Sequence, residues 1–206
     1  MIIRTGAEAE IHLTTWLDMQ VIAKRRVPKT YRLKVLDGEL RNYRIRNEAR
    51  LMSSARKLGV PVPAVLDVNI PECELVMEYI DGVRLKDVLS TYPPAERHGL
   101  LERVGMLIGI LHRNDIIHGD LTTSNMIMKE HIIHFIDFSL GEWSSEIESK
   151  GVDLHVLMEA YESTHPELLD EFEFVMAGYR KAFKDADAVE AKIKEIIERG
   201  RYHTRE

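Results

Sequence analysis

The sequence predicts an α+β chain of two parts, a small β-rich first part with one helix and a larger, mainly helical second part. Three observations predict it. Apolar residues alternate or cluster in β-branched runs through the first thirty-odd positions; from about Asp37 they fall at helical spacing; and beyond the turn Asp81-Gly82 the patterned stretches are mostly helical. A hinge near residue 80 separates a first lobe, residues 1–80, from a second, residues 81–206, within one domain. A cleft between two such lobes is a common place for a ligand.

The elements follow in order. Glu10-Ile11-His12-Leu13 and Met19-Gln20-Val21-Ile22-Ala23 read as strands joined by a turn. Leu40, Tyr43, Arg44, Asn47, Glu48, Leu51 and Met52 share helical spacing, and Gly59 stops that helix. Val60-Pro61-Val62-Pro63 is a stiff extended link, because proline disfavours helix in the residue before it. Glu74-Leu75-Val76-Met77-Glu78-Tyr79-Ile80 reads as a buried strand leading into the hinge. Residues 97–113 form a helix with a broad apolar stripe through Leu100, Leu101, Val104, Leu107, Ile108 and Leu111. Two β segments follow, over 125–128 and 132–136, and then helices over 153–161, 167–183 and 186–199.

Bulk properties narrow the class. With 45% hydrophobic and 30% charged residues, the chain has the composition of a globular protein. No apolar run approaches the length of a membrane span, and no membrane association is expected. The first residues carry no signal-peptide pattern, and the single cysteine, Cys73, permits no intramolecular disulfide, which points to the cytoplasm. A net charge of −6 argues against wholesale coating of nucleic acid. Residues 24–34 nevertheless hold six basic side chains and no acid, and a short basic tail includes Arg199, Arg201 and Arg205. Both are read either as solvated faces or as phosphate or RNA contacts.

The chemistry concentrates in His118-Gly119-Asp120-Leu121-Thr122-Thr123-Ser124-Asn125, with Asp137-Phe138-Ser139 twelve residues beyond Asn125. Phosphoryl transfer needs a carboxylate beside the attacking oxygen and oxygen ligands that hold magnesium on the phosphates. Asp120 suits the first role, Asn125 and Asp137 the second. The two β segments between them form a hairpin that returns Asp137 to Asn125. The pattern resembles the catalytic loop and following Asp-Phe of protein kinases, and it sharpens the expected architecture to a reduced protein-kinase-like bilobal fold. Upstream, Gly6, Ala7, Glu8 and Ala9 stand where that pattern has a phosphate loop, although with one glycine rather than three. Lys24, at the end of an apolar strand, is expected to reach ATP phosphates, with Glu48 on the next helix holding it. Met77 lines the back of the expected adenine site, and the backbone of Glu78 and Ile80 reads the adenine edge. His112, His118, His131 and His134 lack the spacing of a zinc motif.

The chain also resembles a narrower family. Lys24-Arg25, Lys29-x-Tyr31-Arg32, Arg44-x-x-x-Glu48-Ala49-Arg50, the run from His118 to Met126, Ile136-Asp137-Phe138, Val152-Asp153-Leu154 and Arg199-Gly200-Arg201 are similar to the small atypical kinases of the KEOPS complex, the PRPK family. The resemblance spans nearly the whole chain. It implies a subunit that binds Mg-ATP, hydrolyses it or phosphorylates itself on serine or threonine, and serves threonylcarbamoyladenosine formation at tRNA position 37. It also implies two partners, the universal carbamoyl-transfer subunit and a small regulatory subunit.

Departures from ordinary protein kinases point the same way. Gly119 replaces the arginine that grips a phosphorylated activation loop, and Thr122 replaces a lysine. Fifteen residues between Asp137 and Asp153 leave no room for a full activation segment. Ser139 stands where glycine usually follows Asp-Phe, and Ser149 where the family usually has an acid. Two other readings remain at this point: a small-molecule phosphotransferase of the aminoglycoside or choline kinase type, for which the chain lacks a large helical substrate region, and a nucleotide-binding scaffold.

Overall fold

The computed structural model describes residues 2–5 and 9–203. The first part is a five-stranded antiparallel sheet with one long helix. Strands β1 (Ile2–Thr5), β2 (Ala9–Trp16) and β3 (Met19–Arg26) precede α1 (Lys34–Lys57), and β4 (Val65–Asn69) and β5 (Glu74–Glu78) complete the sheet in the order β1-β2-β3-β5-β4. Between β2 and β3 the chain reverses in two residues, Leu17 and Asp18, both at positive φ, a turn whose twist matches that of paired strands. That tight reversal fixes the register, pairing Ile11 with Lys24 and, through β5, Lys24 with Leu75.

Beyond the hinge come β6 (Val83–Arg84), α2 (Leu85–Val88), α3 (Pro94–Arg113), β7 (Ile116–Ile117), β8 (Met126–Lys129), β9 (Ile132–Phe135), β10 (Glu142–Trp143), α4 (Ile147–Thr164), α5 (Phe172–Ala182) and α6 (Ala186–His203). Strands β6, β8 and β9 form a small antiparallel sheet, and β7 pairs with β10. One apolar core runs through both parts, from Leu51 and Met52 of α1 and Leu75 of β5 to Leu107 and Ile108 of α3, Leu157 of α4 and Tyr179 of α5. Helices α3 and α5 pack backbone to backbone. A Cβ on Gly105 would lie 1.8 Å from the Val175 carbonyl, and one on Gly178 would lie 1.9 Å from that of Glu102.

Several elements differ from the sequence expectation. Helix α1 begins at Lys34 rather than near Asp37, because Val35 and Leu36 are exposed and give its first turn no apolar period. Helix α4 starts at Ile147, six residues before the expected 153; Gly151, which lets the Lys192 side chain approach, masks the pattern. The single helix expected over 167–183 is broken. Residues Pro166–Glu171 form a 3₁₀ turn with Leu168 non-helical, pinned where Glu171 accepts a two-pronged bond from Arg97 of α3 at 2.6 and 2.5 Å. Asn125 ends a 3₁₀ turn and β8 begins at Met126, so Asn125 sits at the mouth of the hairpin, not within it.

Candidate active site

The site forms where β3, α1, the hinge and the β8–β9 hairpin meet. Lys24 is near the end of β3 and faces inward, only 5% exposed. A buried ammonium needs counter-charge, since desolvation of an unpaired ion is costly. Two carboxylates supply it: Lys24 Nζ lies 2.6 Å from Glu48 Oε1 and 2.7 Å from Asp137 Oδ1. Glu48 is itself 1% exposed, and its second oxygen accepts Arg26 Nη2 at 3.0 Å. Burial alone would lower the Lys24 pKa, but Glu48 and Asp137 outweigh it and hold the ammonium firmly protonated. Burial would likewise raise the Asp137 carboxyl. The Lys24 charge and hydrogen bond, with the Ser139 hydroxyl donating to Oδ1, instead hold it well below the usual carboxylate range. Asp137 itself has φ +66, a left-handed setting uncommon for a residue with a side chain.

The loop carrying Asp120 is suspended from one buried carboxylate. Asp153 of α4, 2% exposed, accepts the backbone N–H of His118 at 2.9 Å on one oxygen and that of Gly119 at 2.8 Å on the other. His112 of α3 donates to the same Asp153 from Nε2 (3.1 Å) and receives the Tyr179 hydroxyl at Nδ1 (2.9 Å). Burial would raise the Asp153 pKa, but the His112 bond and charge lower it, so the anchor stays ionised. His118 is fully buried, with Nε2 on the Ile136 carbonyl at 3.1 Å and Nδ1 accepting the Asp120 N–H at 3.3 Å. Burial lowers its pKa and keeps the ring neutral. Gly119 has φ +81, and a Cβ there would lie 2.2 Å from the Leu140 carbonyl. No arginine fits at this position.

Asn125 Nδ2 donates to Asp120 Oδ2 at 2.8 Å and to the Asp120 carbonyl at 3.0 Å, tying the ends of the loop together. Thr123, between them, is held by His165 Nε2 at 3.1 Å. The Asn125 amide nitrogen is therefore occupied while its oxygen remains an acceptor, and among the described residues Asp137 Oδ2 receives no hydrogen bond. Both residues line a cavity of about 270 Å³. An amide oxygen and a carboxylate oxygen are the hard donors that magnesium takes, with phosphate oxygens and water filling its remaining positions. The residues fit that ion.

The same cavity is lined by Ile11, Ile22, Lys24, Glu48, Met77, Glu78, Ile80, Ile127 and Ile136 among others. Its apolar walls suit a flat heterocycle, and its charged end, with Lys24 beside the oxygens of Asn125 and Asp137, suits an anion that carries a metal ion. Lys24, Glu48, Met77, Glu78, Ile80, Asn125 and Asp137 are thus brought together. Asp120 is outside the lining, held to it by Asn125. Ala9 is also outside it, paired with Arg26 in the sheet. Gly6, Ala7 and Glu8 fall outside the described residues, as does Arg205. Arg201 is in the last turn of α6, and Arg199 pairs with Glu148 at 3.1 Å. The basic stretch at 24–34 is not a uniform exposed edge: Lys24 and Arg26 are buried against Glu48, Arg25 pairs with Glu72 and Arg32 with Asp37. Sequence reasoning missed the roles of Asp153 and His112, whose signal is an ionisable residue on the buried stripe of a helix. It also missed Arg84 in the cavity wall, for which the sequence carries no signal.

A two-lobed fold with a Lys–Glu–Asp cluster above an Asp–Asn loop defines an atypical kinase class, and the chain belongs to the RIO-domain family, whose profile matches residues 11–141. The solved Rio2 kinase from Chaetomium thermophilum, in a complex with ADP, magnesium and phosphoaspartate, shares the fold with a TM-score of 0.69 at 17% identity, over 98% of this chain and 70% of that one. Within the class, the chain belongs to the Bud32/PRPK family of KEOPS subunits. It is 44% identical to "KEOPS complex subunit Bud32" of Pyrococcus abyssi, over 99% of this chain and 97% of that protein. It is also 42% identical to a "Probable bifunctional tRNA threonylcarbamoyladenosine biosynthesis protein" of Methanosarcina mazei, over 98% of this chain and 35% of that longer protein.

Proposed function

We propose that the protein is a Mg-ATP-dependent atypical kinase or ATPase that acts as a KEOPS subunit in forming threonylcarbamoyladenosine at tRNA position 37. The observation that carries this reading is Lys24 bonded at once to Glu48 and Asp137 in a cavity that Asn125 also lines, in a chain matching a KEOPS subunit from end to end. In this reading the hinge backbone at Glu78 and Ile80 reads the adenine edge, and Met77 closes the back. Lys24, straightened by Glu48, meets the phosphates. Asn125 and Asp137 hold magnesium, which when bound neutralises charge on the phosphates. Asp120, oriented by Asn125 Nδ2, accepts the proton of the attacking water or of a serine or threonine hydroxyl. The short segment after Asp137 offers no platform for a peptide, which favours hydrolysis or self-phosphorylation over protein signalling.

The partners proposed are the universal carbamoyl-transfer subunit and the small regulatory subunit, with tRNA met indirectly or through Arg199, Arg201 and Arg205, all in the cytoplasm. The test is phosphate release from Mg-ATP by the full chain, with and without the carbamoyl-transfer subunit and tRNA, compared with Asp137→Asn. Partner-stimulated release that falls to background in Asp137→Asn supports the reading. No release above that background by the wild type refutes it.

A further inference from the structure

Two cations line the cavity among the described residues, Lys24 and Arg84, and they differ in one respect. Lys24 is neutralised in place by two carboxylates. Arg84, a cationic side chain, forms no ion pair with any described carboxylate. A half-buried arginine in a ligand cavity without a counter-ion carries charge that an incoming anion can answer, and its planar fork suits phosphate.

The backbone fixes where that charge stands. Arg84 is four residues beyond Ile80 at the hinge, on β6, and is paired directly with Ile127 of β8. Ile127 is two residues from Asn125 at the metal-binding end. The following helix α2 is anchored by Leu85, which is fully buried. Arg84 is therefore set on a rigid strand between the base end and the metal end of the cavity. From these placements we infer that Arg84 adds a second cation at the phosphate nearest the ribose, approaching it from β6 beyond the hinge while Lys24 approaches from β3. This deepens the nucleotide reading above and rests on it.

The test is calorimetric titration of the full chain with adenosine, AMP and ADP, without metal, for wild type, Arg84→Met and Arg84→Lys. Methionine keeps much of the aliphatic stem and removes the charge, and Arg84→Gln replaces it should that variant fail to fold. The expected result is a roughly tenfold loss of AMP and ADP affinity in Arg84→Met, adenosine affinity unchanged, and partial recovery in Arg84→Lys. Equal loss for adenosine and AMP places the arginine on the ribose and overturns the inference; unchanged AMP affinity overturns it as well. Wild-type protein that binds neither adenosine nor AMP refutes the nucleotide reading itself, a result read before any variant is compared.

Discussion

At Glu48 one carboxylate answers two cations, Lys24 on one oxygen and Arg26 on the other, all three nearly sealed from water. Removing a partner from such a group leaves charge buried without compensation, at a cost of about 3–5 kcal/mol. Glu48→Gln is expected to lower the urea midpoint by a corresponding amount, whereas Glu72→Gln, which loosens only the exposed Arg25 pair, costs less than about 1 kcal/mol. Similar midpoints for the two variants would refute the buried triad. The pairing of Lys24 with Glu48 was legible in the sequence because a strand-end lysine and a helical glutamate stood in kinase order. The share of Asp137 in that pair, and the presence of Arg26, were not. Both depend on how the β2–β3 register and the hairpin return meet in space, which no local pattern encodes.

Among the elements, the helices were legible where an apolar stripe runs unbroken, as in α3, and blurred where glycine or an ionisable residue occupies the buried face, as in α4 with Lys150, Gly151 and Asp153. The close crossing of α3 and α5 was hidden for the same reason. Gly105 and Gly178 look like weaknesses in a helical pattern, yet each admits the other helix's backbone. Gly178→Ala would raise intrinsic helix propensity, so a propensity argument alone predicts stabilisation. The contact predicts the reverse, because the methyl would collide with the Glu102 carbonyl, and rigid backbone overpacking costs about 1–3 kcal/mol or more. Thermal denaturation decides between them: a lower midpoint supports the crossing, and a raised midpoint refutes it.

For the whole molecule, acid stability reports the buried loop anchor. His118 has its pKa lowered by burial from the ordinary 6.5, so the unfolded chain takes up a proton before the folded one does. Its contribution is nil above about pH 6.5, becomes increasingly destabilising as pH falls below that value, and levels off below the lowered folded pKa. His165, lowered in the same direction, adds to the slope. Asp153 and Asp137 are lowered carboxyls, whose stabilising contribution is present above the ordinary 3.8 and is lost only under stronger acid. The urea midpoint is therefore expected to begin falling below about pH 6.5, more gently in His118→Asn. An unchanged slope in that variant would show that His118 does not titrate between the two states.

The position of α1 carries a consequence for control. Asn47 donates to the Gly141 carbonyl at 2.7 Å, and the adjacent Glu48 joins Lys24, which reaches Asp137. Swinging this helix outward, as a toggle between idle and armed states requires, would break a buried ion pair and a hydrogen bond together. Both contacts oppose that swing and set α1 against the site. Gly119, where a Cβ would meet the Leu140 carbonyl, leaves no side chain at that position to grip a phosphorylated loop. In the reading proposed above, control then falls to what enters the cleft and to the subunits that surround the chain.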